Sequence, residues 1–195
     1  MDDQPLPWPS FPIPGTGVVL RPWLPSDAPG LYAAATESIE TVGRWLPWCH
    51  SGYALAQSES WIDFAGEGWT RGEVFAFALA DQDSGEIVGG MGLNQLHREH
   101  RNANLGYWIR RSRQGEGLAP AAVPIVARFG IERLNLVRVE IVCAIDNVAS
   151  RRCAKKAGAS FEGIARQRLL LRDVATDAAV YAFVASDFAQ PTEQS

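Results

Sequence analysis

Apolar positions along the chain keep two different spacings, and the spacing marks the elements. In "EVFAFALAD" (73–81), "ANLGYWIR" (103–110) and "VRVEIVCAI" (137–145) they alternate or run on, as in half-buried and buried strands. The residues Ala103, Leu105, Tyr107 and Ile109 share one face of the second of these. Val18–Leu20 predicts a short strand. "IVGGMGLNQL" (87–96) predicts the return arm of a hairpin that turns through "DQDSGE" (81–86). Two more strands, "FEGIARQRLLL" (161–171) and "AAVYAFVASDF" (178–188), close around "RDVATD".

Helical spacing takes over elsewhere. Ser26 or Asp27 caps a helix through "GLYAAATESIE", and a second is predicted from Ala56 to Arg71 with Trp61, Ile62, Phe64 and Ala65 as its apolar side. After Gly117 the residues Ala119, Ala122, Val123, Val126, Ala127, Gly130 and Ile131 recur at i, i+3, i+4. Pro120 fits the first turn of that helix, whereas Pro124 removes an interior N–H and predicts a bend. "DNVASRRCAKKAG" predicts a short helix capped by Asp146 or Asn147 and stopped by Gly158. The order β-α-α-β-β-β-α-β-α-β-β, with seven strands and four helices, implies one α/β domain (α+β type) over 18–188 with a mixed, mostly antiparallel sheet. Before it, the prolines at 5, 7, 9, 12 and 14 predict an extended arm over 1–17, pinned by Trp8 and Phe11. After it, 189–195 reads as a disordered tail.

Composition narrows the function. With 47% hydrophobic and 21% charged residues the chain reads as a soluble globular protein, and a net charge of −4 argues against a nucleic-acid partner. Three scattered cysteines, Cys49, Cys143 and Cys153, point to a reducing compartment, and no apolar run suits a membrane. A cytoplasmic location is the expectation. The pair His97 and His100 in "HREHRN" has no third ligand nearby, so the loop reads as solvated and no metal is expected.

The chemistry is concentrated in "LGYWIRRSRQGEGLAPAA" (105–122), a strand leading through glycines into a helix. A nucleotide loop of the G-x-x-x-x-G-K-[ST] kind is excluded, because neither its lysine nor its hydroxyl is present. A dinucleotide fingerprint fails too, since Pro120 stands where the third glycine belongs and several strands already precede the turn. Glycines between a strand and a helix let the backbone approach a ligand closely. Glycines at 115 and 117 would let a diphosphate reach bare N–H groups at the start of a helix, with Glu116 turned outward and Gln114 donating its amide.

The run Gln114-Gly115-Glu116-Gly117-Leu118-Ala119 resembles the Q/R-x-x-G-x-G/A loop of the GNAT N-acetyltransferases. "RVEIVCAIDNVASRRCAKKAG" resembles that family's following strand, its N-x-x-S (Asn147, Ser150) and its K-x-G turn. "LRPWLPSDA", "RWLPW", Asp177 and Tyr181 are similar to the branch that acetylates N-terminal amines of ribosomal proteins, the RimJ/RimL type. Departures are Pro124, Ala159 where a phenylalanine is usual, and Asn104 where many relatives carry a glutamate.

The resemblance implies an acetyl-CoA-dependent transfer to a primary amine, most plausibly a protein N-terminus, with central strands Leu105–Arg110 and Val137–Ala144 splayed to admit pantetheine. Acetyl-CoA is then held by Trp108, Ile109, Arg110, Gln114, Gly115, Glu116, Gly117, Leu118, Ala119 and Asn147. Ser150 is the general acid, and Asn104 holds a water in the proton path. Trp45 and Trp48 line the acceptor cleft. His97, Glu99, His100, Glu59 and Asp63 stay open as bases. A small-molecule amine acceptor, a coenzyme-binding module without turnover, a longer acyl donor and a homodimer also stay open.

Overall fold

The computed structural model describes residues 9–189. Strands β1 (Phe11–Ile13), β2 (Val18–Pro22), β3 (Phe75–Asp81), β4 (Ile87–His97), β5 (Asn102–Ile109), β6 (Arg138–Ala144), β7 (Ser160–Leu171) and β8 (Val174–Val184) form one sheet in the order β1-β2-β3-β4-β5-β6-β8-β7. Helices are α1 (Ala28–Glu37), α2 (Leu55–Arg71), α3 (Leu118–Arg133) and α4 (Val148–Lys156). The sheet therefore has eight strands where the hydrophobic pattern predicts seven. The additional one is β1, within the proline-rich segment. A proline costs no ladder bond on an edge strand, and Phe11 is held by ring contacts to Phe77 and Phe129 at about 6 Å. Trp8 and residues 190–195 lie outside the described residues.

The two faces of β3 explain the layers. Phe75, Phe77 and Leu79 pack with Leu118, Val123 and Val126 of α3, while Ala76, Ala78 and Ala80 face α1 and α2. Small side chains on that second face let two helices approach it closely. Helix α2 buries Ser58, Ile62, Ala65 and Trp69, a stripe that shares Ile62 and Ala65 with the predicted one and turns Trp61 and Phe64 out of it. Trp61 and Phe64 consequently stand 40% and 47% exposed and contact each other. Helix α3 runs through Pro124 without interruption.

One pairing decides where a site can form. Every neighbouring pair is antiparallel except β5 and β6, which pair in parallel only at Asn102↔Arg138, Ala103↔Val139 and Asn104↔Glu140. Beyond Asn104 the two strands continue, to Ile109 and Ala144, without bonding each other. The predicted splay is present, between the predicted strands.

Candidate active site

The splay opens a cleft of about 900 Å³. Ladder parity sets the character of its floor. Antiparallel partners exchange both backbone bonds at every second residue, and Arg110 N–H donates to Val88 O at 2.9 Å. Trp108, two residues earlier and opposite Gly90, therefore also spends its N–H on β4. The N–H and C=O of Tyr107 and Ile109 face the open edge instead. Consistent with this, Ile109 O accepts from Gln114 Nε2 at 2.9 Å.

The glycine turn closes one end. Gly115 and Gly117 have φ of 89° and 79°, left-handed values that side chains resist, and Gly117 is the N-cap of α3 without a side-chain cap bond. The first N–H groups of the helix, at Leu118 and Ala119, have no intrahelical acceptor. No atom stands within 4 Å of where a Cβ would sit on Gly115, and at Gly117 the nearest is Lys156 Nζ at 3.9 Å. The turn thus offers open amides beside a cation, the combination a diphosphate requires. Residues 110–113 anchor it: Glu37 accepts from Ser112 N at 2.7 Å and from the Arg110 guanidinium, and Ser38 Oγ accepts from Arg111 N at 3.0 Å.

On the β6 side Asn147 caps α4, its Oδ1 accepting from Ser150 N at 3.1 Å. Tyr107 Oη lies 3.0 Å from both the carbonyl oxygen and the Oγ of Ser150. With the phenol proton given to the carbonyl, the serine hydroxyl donates to the phenol oxygen. Burial foremost, then the neighbouring Cys153, pushes the Tyr107 phenol far up, so it stays protonated. Cys143 and Cys153 also border the cleft, and burial raises both thiols, Cys153 to about 11. Across the cleft floor Asn104 Nδ2 donates to Asn94 Oδ1 at 2.9 Å, leaving the Asn104 carbonyl oxygen to accept.

The structure brings together Asn104, Trp108, Ile109, Gln114, Gly115, Gly117, Leu118, Ala119, Asn147, Ser150 and Trp45 on one cleft wall or another. Arg110, Glu116 and Trp48 are not among its lining residues. Arg110 is drawn to Glu37 and Glu86, and Glu116 is held by Arg113 Nε at 2.8 Å, pointing outward as its charge demands. Trp48 is captured by Trp108 and Tyr53, with ring centroids 5.5 and 5.6 Å away. The amide of Gln114 is already bonded to Ile109 O and Thr41 Oγ1, so it braces the turn against its strand. None of His97, Glu99, His100, Glu59 and Asp63 borders the cleft; among the described residues Glu40 is the carboxylate that does.

Sequence reasoning had not singled out Asn94, Lys156 as the glycine-turn cation, or the hydroxyl of Tyr107. Asn94 was within reach of a cross-strand argument, because it pairs directly with Asn104.

A mixed sheet opened between two parallel strands, with a glycine turn at a helix start beside the opening, defines a coenzyme-dependent acyl-transfer fold. The family model described as "Acetyltransferase (GNAT) domain" matches residues 18–160, and the chain belongs to that family. It is an acetyl-CoA-dependent N-acetyltransferase. The N-acetyltransferase YoaA of Bacillus subtilis is 28% identical over 185 residues, covering 89% of this chain and 97% of its own. The ribosomal-protein-serine acetyltransferase of Escherichia coli is 30% identical over 112 residues, 57% of this chain and 62% of its own. Among solved structures, RimL, a ribosomal α-N-protein acetyltransferase in complex with coenzyme A, superposes with a TM-score of 0.81 at 22% identity over 90% of this chain and 98% of that one. RimJ of Mycobacterium smegmatis, in complex with a CoA-disulfide, gives 0.79 at 24% identity over 89% and 84%. These two likenesses establish the fold. Among the described residues no helix is long and apolar enough to cross a membrane.

Proposed function

We propose that the protein transfers the acetyl group of acetyl-CoA to a protein N-terminal amine by direct attack in a ternary complex. The observation that carries this reading is the free edge of β5, which runs from Asn104 to the open amides at Gly115–Ala119. Pantetheine amides pair with the Ile109 N–H and the Tyr107 carbonyl as an added strand would. The diphosphate lies at the glycine turn with Lys156 beside it.

The chemistry then divides among three groups. The amine nitrogen attacks the thioester carbonyl carbon, and the oxygen that gains negative charge is met by the N–H of Tyr107, the open-edge amide nearer Asn104. Asn104, held by Asn94, orients through its free carbonyl oxygen the water that takes the proton from the attacking nitrogen. The carbon–sulfur bond breaks, and the leaving thiolate takes the Ser150 hydroxyl proton as that hydroxyl turns from the Tyr107 oxygen to the sulfur. The Tyr107 phenol turns from the Ser150 carbonyl to donate to Oγ, and the water that took the amine proton returns it to Ser150. The names of the ribosomal-protein relatives support an N-terminus as acceptor, and the apolar wall of Trp45, Leu46 and Pro47 suits a chain end better than a polycation.

The test combines calorimetry with coenzyme A and turnover on a panel of peptides and polyamines, for the wild type and for Asn104→Ala and Ser150→Ala. Micromolar binding, peptide turnover and a loss of about 100-fold in kcat for Ser150→Ala are expected. Normal turnover by both variants refutes the proton path. Turnover on polyamines alone refutes the acceptor.

A further inference from the structure

The two-residue turn between β7 and β8 is built against propensity. Leu171 pairs with Val174, and the residues between them, Arg172 and Asp173, have φ of 49° and 64°. Positive φ at both central positions is the type I′ geometry, which Asn, Asp and Gly adopt readily and a long side chain does not. A residue kept in a disfavoured conformation directs attention to its side chain. Here Arg172 Nη2 reaches Gly43 O at 2.6 Å, a bond between residues 129 positions apart. Among the described residues Arg172 has no ion-pair partner, so this bond is what fixes its guanidinium.

The receiving end is rigid. A Cβ on Gly43 would stand 2.1 Å from Cys49 O and 2.4 Å from Ile39 O, so the loop between α1 and α2 is folded tightly on its own backbone there. Residues on either side of the bond wall the cleft: Thr41, Arg44, Trp45 and Leu46 from the loop, Leu169 and Leu171 from the hairpin. The bond therefore ties together two segments that have no sheet pairing in common, both of which wall the cleft.

We propose that Arg172 is a positioning residue for the acceptor: its bond to Gly43 fixes the passage through which the amine reaches Asn104 and Ser150. The proposal rests on the reading above in placing the acceptor between the loop and the hairpin. Two variants separate positioning from mere folding. Arg172→Asn suits the turn and cannot span to Gly43, whereas Arg172→Lys keeps a long donor.

For Arg172→Asn the expected result is a rise of about tenfold in KM for the peptide amine, the equivalent of one lost hydrogen bond. Affinity for coenzyme A and the melting temperature should hold, and Arg172→Lys should recover most of the loss. An amine KM within about twofold of wild type, or an equal rise in KM for acetyl-CoA, overturns the proposal. Hydrogen exchange supplies a readout that needs no turnover. The amides of Val42, Trp45 and Leu46, bonded within the loop, should lose protection in Arg172→Asn. Unchanged exchange refutes the clasp whatever the acceptor is. Failure of the wild type to acetylate any peptide, with exchange behaving as expected, refutes the acceptor reading and leaves the clasp standing.

Discussion

Replacing Glu37 by glutamine tests whether the segment leading into the glycine turn is anchored electrostatically. Glu37 ends α1, accepts from Ser112 N at 2.7 Å and receives the guanidinium of Arg110, whose side chain is only 13% exposed. That guanidinium, foremost, and the Ser112 N–H hold the carboxyl at about 2, against an ordinary 4.5. At about 1.36 kcal/mol per pH unit the gap is worth roughly 3 kcal/mol at most. Glu37 is 29% exposed, so water and salt screen the pair. About 1.5 kcal/mol is a better expectation. The folded state lowers this pKa, so the contribution is complete above pH 4.5 and disappears as the pH falls toward 2.

Glutamine keeps the shape and cannot titrate. Urea unfolding of both proteins between about pH 7 and pH 2.5 should show a difference of about 1.5 kcal/mol that shrinks steadily below pH 4.5. A difference that stays constant across the range, or grows in acid, would refute the assignment of the anchor to charge.

Two further outcomes follow from the cleft. Gly117→Val forces a β-branched side chain to φ 79° at the N-cap of α3, which costs about 1–2 kcal/mol and crowds the anion site, so calorimetry should record at least a tenfold weaker coenzyme A. Tyr107→Phe removes the phenol that contacts Ser150 at 3.0 Å; kcat should fall about tenfold with KM for acetyl-CoA little changed, and adding Ser150→Ala should cost less than its separate effect.

Alternation and helical spacing carried the α/β class, the four helices and seven of the strands, because apolar residues cluster in each of those segments at strand or helix period. Strand β1 escaped, since Pro12 is read as a breaker unless its place at the sheet edge is known. Helix α2 was found and half of its predicted apolar side is core: Ile62 and Ala65 are buried with Trp69, while Trp61 and Phe64 are exposed. For the site, the glycine turn and Ser150 were visible as local patterns. The Asn94–Asn104 bond needs the hairpin register, which a cross-strand argument could supply, whereas the Arg172–Gly43 bond depends on distant segments meeting and no local spacing encodes it. Trp48 and Arg110 stand one contact back from the cleft lining, Trp48 against Trp108 and Arg110 against Glu37 and Glu86, and such packing is not encoded in local spacing.

The divergence of β5 from β6 has a cost that the rest of the molecule must carry. A sheet zipped along its full length would leave fewer dangling peptide groups and melt later. It would also have no seam for a guest to enter. What makes this protein useful is a fault line its builders left unstitched, and a visitor bearing amides of its own mends that line for as long as it stays.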